Sequence, residues 1–226
     1  MESRFFFARA KRISPITEAT VTVMLSTLEA IRGRAQRARK LADESIAVLE
    51  ERASPLALAR ALNWAGLAES TLGAPERAED HLRRSFDLHE KFGERGVGST
   101  TAALLARALV EQERFEEGER FASVALEWTS PGDIATQAYA RGARALALVA
   151  RGVRDEARRE AHAAVELSAG SDFANQRGNA FLDLAYVLHA CGDREGSREA
   201  AAEAQSWFAL KGNTASAELA AAFNAS

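Results

Sequence analysis

The run Gly93-Glu94-Arg95-Gly96-Val97-Gly98-Ser99-Thr100 has the glycine spacing of a phosphate-binding loop, G-x-x-x-x-G-K-[ST], but Ser99 stands where the lysine belongs. Such a loop also follows a strand, and here helical sequence precedes it. A glycine-rich link into the next helix is the better reading. Four histidines are present, and none has the local spacing of a metal site. His81 and His89 are eight residues apart, about 12 Å along a helix, too far for one metal. His189 and Cys191 point to different faces, and His162 stands alone. Cys191 has no identifiable base beside it, so it reads as a small packing residue at a helix end. Arg32, Arg34, Arg37, Arg39 and Lys40 form the densest basic run, which could grip phosphates. Asp43, Glu44, Glu50 and Glu51 follow closely, as on a solvated helix surface of mixed sign, and argue against nucleic acid. The pairs Glu116-Glu117 and Asp155-Glu156 fall at helix starts, where the helix dipole accounts for them without catalysis. No catalytic residue, cofactor site or metal site is assigned.

Composition bounds the class. The 226 residues are 47% hydrophobic and 27% charged with four prolines, which fits a helical protein better than a disordered or fibrous one. A net charge of −3 gives no overall pull toward nucleic acid or anionic lipid. A single cysteine cannot form an internal disulfide. No stretch of about twenty apolar residues could span a bilayer, and Phe5–Phe7 is too short for a signal-peptide core. The expected location is the cytoplasm.

The elements that would carry a site repeat. Residues 101–128 read as two amphipathic helices joined by a tight polar turn, with Ala102, Leu105, Ala106 and Leu109 on one stripe and Phe115, Gly118, Ala122 and Ala125 on the other. Comparable turns fall at Gly33, Gly73, Glu113, Gly152 and Gly192, in steps of 39 or 40 residues. Small residues recur five positions later (Ala38, Ala78, Gly118, Ala157, Ser197) and twelve positions later (Ser45, Ser85, Ala125, Ala164, Ala204). Val48, Leu88, Trp128, Leu167 and Trp207 keep the same steps and should close the layer behind them. Strand signals are absent. The spacing predicts an all-α, right-handed α-solenoid of five helix pairs, at 19–53, 54–95, 99–130, 134–170 and 173–211, with a capping helix at 213–225. Ser54 and Asp133 are expected N-caps. Residues 1–18 lie outside the register and are expected to be a cap or a docking arm, with Phe5, Phe6 and Phe7 a possible route to self-association.

A two-helix unit with small residues at these offsets resembles the tetratricopeptide repeat (TPR); Gly66 and Ala78 match best, whereas Leu62 and Ala102 replace the usual aromatics and the terminal proline is missing. Residues 93–222, through GERGVGSTTAALLARALVEQERFEEGERF, SPGDIATQAYARGARALALVARG, FLDLAYVL and FALKGNTASAELA, resemble the C-terminal helical-repeat region of large bacterial signalling proteins. In those proteins the region follows an ATPase module and either a nucleotidyl-cyclase domain or a LuxR-type helix-turn-helix. The resemblance covers the repeats alone, and those activities do not carry over.

The first helices of such pairs line a concave wall. In this register the wall carries Arg60, Asn63, Thr71, Thr100, Arg107, Glu111, Tyr139, Asn179, Tyr186 and His189, bordered by Trp64 and Arg144. Tyrosine and arginine suit recognition, since they join apolar area to directional donors. The expected function is a noncatalytic scaffold that binds a protein or peptide segment, in bacterial signalling or transcriptional regulation. The alternatives are a small-molecule sensor and an enzyme. A scaffold should have a long open groove, a sensor an enclosed pocket with converging polar groups, and an enzyme perturbed titratable groups in that pocket. On the scaffold reading, Tyr186→Ala with Arg107→Ala weakens binding without unfolding the array.

Overall fold

Seven of the helices are 17 residues long, and most are separated by three-residue turns, so the chain advances by about 20 residues per helix and 40 per pair. The computed structural model describes residues 14–170 and 172–225. Among these, α1 (Pro15–Ile31), α2 (Ala35–Glu51), α3 (Pro55–Thr71), α4 (Pro75–Lys91), α5 (Arg95–Glu111) and α6 (Phe115–Trp128) make three pairs. Next come α7 (Ile134–Ala150), α8 (Arg154–Ala169), α9 (Ala174–Ala190), α10 (Arg194–Lys211) and the single helix α11 (Thr214–Ala225). The described residues contain no strand. The expected α-solenoid of five pairs with a terminal helix is the fold.

One turn chemistry stops both members of a pair. At the end of α1, Gly33 N–H donates to Ala30 C=O (2.8 Å) and Arg34 N–H to Glu29 C=O (2.9 Å), the paired bonds of a Schellman motif. The same two bonds recur after α2, α3, α4, α5, α7, α9 and α10. The motif needs one residue in the left-handed region, and glycine fills it at 33, 73, 93, 152, 192 and 212. Ala53 (φ 48°) and Glu113 (φ 60°) hold the same conformation with a Cβ attached. That costs roughly 1–2 kcal/mol, part of which glycine returns through its freer unfolded chain. Glu113→Gly is therefore expected to stabilise the protein by roughly 0.5–1 kcal/mol, read as a higher midpoint in urea.

Three expectations about helix ends are corrected. α1 begins at Pro15, within the 1–18 segment expected to lie outside the first pair, with Ser14 accepting Thr17 N–H at 3.2 Å. Gly96–Ser99 is not a link but the first turn of α5: Gly93 ends α4, and Glu94 accepts the Val97 N–H. Glycine at 98 eases a tight contact, because a Cβ there would lie 3.2 Å from His89 Cβ and from the Trp128 ring. Ser54 occupies the N-cap position without bonding through its side chain, whereas Asp133 accepts Thr136 N–H at 3.1 Å as expected. Phe5–Phe7 lies outside the described residues.

The small-residue registers make the close helix contacts. All ten positions are buried. At Gly66 a Cβ would come within 2.5 Å of Leu82, and at Gly178 within 2.6 Å of the Phe208 ring. The register of Val48, Leu88, Trp128, Leu167 and Trp207 is only half-buried, and Leu49, His89 and Phe208, one residue further on, are the fully buried side chains. Each even-numbered helix through α8 packs between its own partner and the next odd-numbered helix, while α1, α3, α5, α7 and α9 form the inner row. α11 packs on α10, and its start also reaches α1, where the Thr214 hydroxyl donates to the Ile31 carbonyl at 3.4 Å. The two ends of the described array therefore touch. Along α1, Val21, Met24, Leu25 and Leu28 stay exposed.

Candidate functional site

Two positions in each inner helix build the site. The thirteenth residues are Thr27, Leu67, Arg107, Leu146 and Tyr186, and the seventeenth are Ile31, Thr71, Glu111, Ala150 and Ala190. They are four apart, hence on one face, and all ten line a single cavity of about 690 Å³. Asn213, Ala215, Ser216 and Leu219 of the α11 region form its remaining wall, beside Thr27 and Ile31 of α1. Leu104, Val110, Phe115, Val149 and Leu182 make much of the rest of the surface apolar.

A polar cluster interrupts that surface. Arg107 Nε donates to Glu111 Oε1 at 3.0 Å, one turn along α5, and Arg107 Nη1 donates to Asp183 Oδ1 of α9 at 2.5 Å. Asp183 is 2% exposed, and its carboxylate fits against α7 because residue 142 is glycine: a Cβ there would sit 2.2 Å from Asp183 Oδ2. Burial raises the Asp183 carboxyl above the ordinary range, against the opposing pull of Arg107. Burial alone would discourage the Arg107 cation, but Asp183 and Glu111 outweigh it and hold the guanidinium firmly charged. Glu111 faces the cavity, reachable by water yet poor in neighbouring solvent, and desolvation raises its carboxyl despite Arg107. Tyr139 bonds with Asn179, and burial raises the phenols of Tyr139 and Tyr186. The Tyr186 ring also packs on Phe223 of α11, with centroids 4.3 Å apart.

Of the ten residues expected on the inner wall, Thr71, Arg107, Glu111, Tyr139, Asn179 and Tyr186 line the cavity. The other four do not. Arg60 is exposed on α3, and Asn63 is buried, accepting the Thr101 hydroxyl of α5 at 3.4 Å. The Thr100 hydroxyl pairs with that of Thr136 at 2.7 Å. His189 is exposed, with its ring edge on Phe223. The reason is register. Arg60, Thr100, Tyr139 and Asn179 are all sixth residues of inner helices, and the cavity reaches that level only along α7 and α9. Arg144 leaves the wall too: it pairs with Glu156 (3.0 Å) and Glu160 (3.4 Å) of α8. Trp64 packs within the first core. Asp183 escaped the sequence reading, although it shares a helix face with Asn179 and Tyr186 at i+4 and i+7.

The remaining chemistry is structural. In the basic run, Arg32, Arg34 and Arg37 lie 3.2–3.6 Å from Glu29, Lys40 meets Glu44, and Arg39 pairs with the buried Glu69, which also takes Arg77 at 3.0 Å. No group of three metal-ligating side chains occurs among the described residues, and no helix there is long and apolar enough to cross a membrane. His89 is fully buried; Glu94 Oε2 lies 3.0 Å from its Nδ1 without hydrogen-bond geometry. Burial lowers its basicity and outweighs the pull of Glu94, so the folded state keeps it neutral. His81 is lowered for the same reason. A depressed folded pKa means that stability is complete above the unfolded imidazole value of about 6.5 and is lost as pH falls below it. The melting temperature is expected to drop from pH 7 to pH 5.5, and the drop should be shallower in His89→Leu. Each extra proton taken up on unfolding adds about 1.4 kcal/mol per pH unit to that slope.

No protein-family model and no curated protein matches this chain. Solved structures do match. A candidate kinesin light chain from Podosopora anserina, built of nearly identical TPR-like repeats, aligns over 88% of this chain and 99% of its own with a TM-score of 0.59 and 16% identity. BtubC from P. vanneervenii aligns over 88% of this chain and 93% of its own with a TM-score of 0.56 and 15% identity. At such identities the likeness is one of fold. The helix pairs are TPR-like.

Proposed function

We propose that this chain is a noncatalytic binding domain that holds a small ligand inside its curved array. One observation carries the reading: α11 meets α1, so the inner wall curls around a partly open cavity of about 690 Å³ instead of running on as an extended groove. That volume lies within the 300–1,000 Å³ of ordinary small-molecule sites, and a few converging polar groups in an apolar lining are typical of them. The sequence favoured a protein or peptide segment in an open groove, and the contact between α11 and α1 favours a smaller ligand. A protein or peptide partner is the second reading, supported by Tyr139, Tyr186 and Arg107 on the wall and by the concave surfaces that helical repeats commonly use.

Raised carboxyls in a cavity would also suit an enzyme. Here, however, Asp183 is tied to Arg107, and no histidine or cysteine lines the cavity to work with Glu111. A regulatory role in bacterial signalling is what the sequence resemblance suggests, and a cytoplasmic location is the expectation from composition; both belong to this proposal. Self-association through Phe5–Phe7 belongs to the same proposal, and the exposed Val21, Met24, Leu25 and Leu28 of α1 support a second copy as the partner. Native mass spectrometry of the purified chain, with light scattering on the same sample, tests these readings. A retained molecule of a few hundred daltons supports the sensor. A retained polypeptide supports the scaffold and overturns the small-ligand reading.

A further inference from the structure

The cavity lacks one positive charge. Glu111 lines it and Asp183 lies buried directly behind Arg107, so two carboxylates share the guanidinium, and among the described residues Arg107 is the one cation in the lining. The backbone points the same way. All five inner helices end at the cavity, at Ile31, Thr71, Glu111, Ala150 and Ala190, and each C-terminus carries roughly half a negative charge. Opposing them are the N-termini of α4, α6, α9 and α11, which reach the lining at Pro75, Phe115, Asn175 and Ala215. Five negative ends against four positive ones leave a small negative excess beside the Arg107 cluster. The Tyr139 and Tyr186 rings add faces that attract cations.

From this we infer that the cavity selects a small organic cation: a primary ammonium on an apolar or aromatic body, with the ammonium on Glu111 and the body against Leu104, Val110 and Leu146. The inference rests on the small-ligand reading above and goes beyond it by fixing the sign of the ligand's charge. Burial is the main cause that raises the Glu111 carboxyl, Arg107 opposes it, and the neighbouring Asp183 adds to it, which is the setting a ligand cation would relieve. The charged or titratable groups facing Glu111 are Arg107, Asp183 and Tyr186, and none supplies a second cation.

Three probes with one indole body separate the possibilities: tryptamine, tryptophol and indole-3-propionate, measured by equilibrium dialysis against the full chain at pH 7.5. Tryptamine should bind at least tenfold more tightly than tryptophol, and indole-3-propionate most weakly. Glu111→Gln should remove the tenfold preference for the amine and leave tryptophol binding unchanged, which also shows that the variant is folded. Lowering the pH toward 5 should weaken the amine selectively, because Glu111 takes up a proton. Equal binding of all three probes, or a preference for the carboxylate, overturns the cation inference while leaving a small-ligand cavity. Binding of none of them overturns the inference and counts against the small-ligand reading as well.

Discussion

Arg107→Ala is expected to lower the melting temperature by roughly 6–20 °C. Removing one partner of a buried pair leaves the other charge uncompensated, which costs about 3–5 kcal/mol, and each kcal/mol is worth about 2–4 °C in a chain of this size. The partner left behind is Asp183, 2% exposed and pressed against the α7 backbone at Gly142. Without the guanidinium, the Asp183 carboxyl should rise still further above its unfolded value. A raised folded pKa contributes stability at low pH that is lost as pH rises, so the defect should be small near pH 4 and full above neutrality. Arg107→Met combined with Asp183→Asn leaves no buried charge and should recover at least half of the loss. Circular-dichroism melts of the two single variants and the double variant make the comparison. A single variant melting within 2 °C of the parent would mean that Arg107 is a surface recognition group. The same argument corrects the sequence-based expectation that Tyr186→Ala with Arg107→Ala affects binding alone: that pair of changes should also destabilise the fold.

Gly118→Leu should cost about 3 kcal/mol, the upper end for overpacking, or roughly 6–12 °C in melting temperature. A Cβ at 118 would meet Val110 Cγ2 at 2.6 Å, Ala106 O at 3.1 Å and Val110 N at 3.5 Å. The valine methyl could turn aside, but the α5 backbone could not without separating α5 from α6. Gly118→Ala should show a smaller loss of the same kind. An unchanged melt for Gly118→Leu would contradict the 2.6 Å approach.

How far the sequence could be read follows from what each residue reports. The 39- or 40-residue recurrence of small side chains was legible because close helix packing tolerates little else, and those ten sites are buried. The 20-residue sub-period was harder to see, since part of it is backbone conformation: Ala53 does in the left-handed region what Gly33 and Gly73 do without looking like a turn residue, and Glu113 was placed by its step from Gly73. The glycines of GERGVGST misled for the opposite reason. Only Gly93 breaks a helix, and Gly98 eases the contact with His89 and Trp128. On the inner wall, Arg107, Glu111 and Tyr186 could be found from their repeat position alone. Arg60 and Thr100 could not be excluded, because sequence does not say how far toward the helix N-termini the cavity extends. Asp183 required knowing that α5 and α9 meet across a glycine 41 residues before it.

In a linear stack of repeats the first and last units have one neighbour each, so such arrays fray inward from their tips. The hydroxyl of Thr214 on the carbonyl of Ile31 gives each tip of this array a second neighbour. Melting of the last pair should then propagate to the first, and hydrogen-exchange protection should be levelled around the circuit instead of peaking at α5 and α6. A ligand lodged beneath that junction would tighten it and so stiffen helices more than 180 residues apart in sequence, without touching most of the residues between.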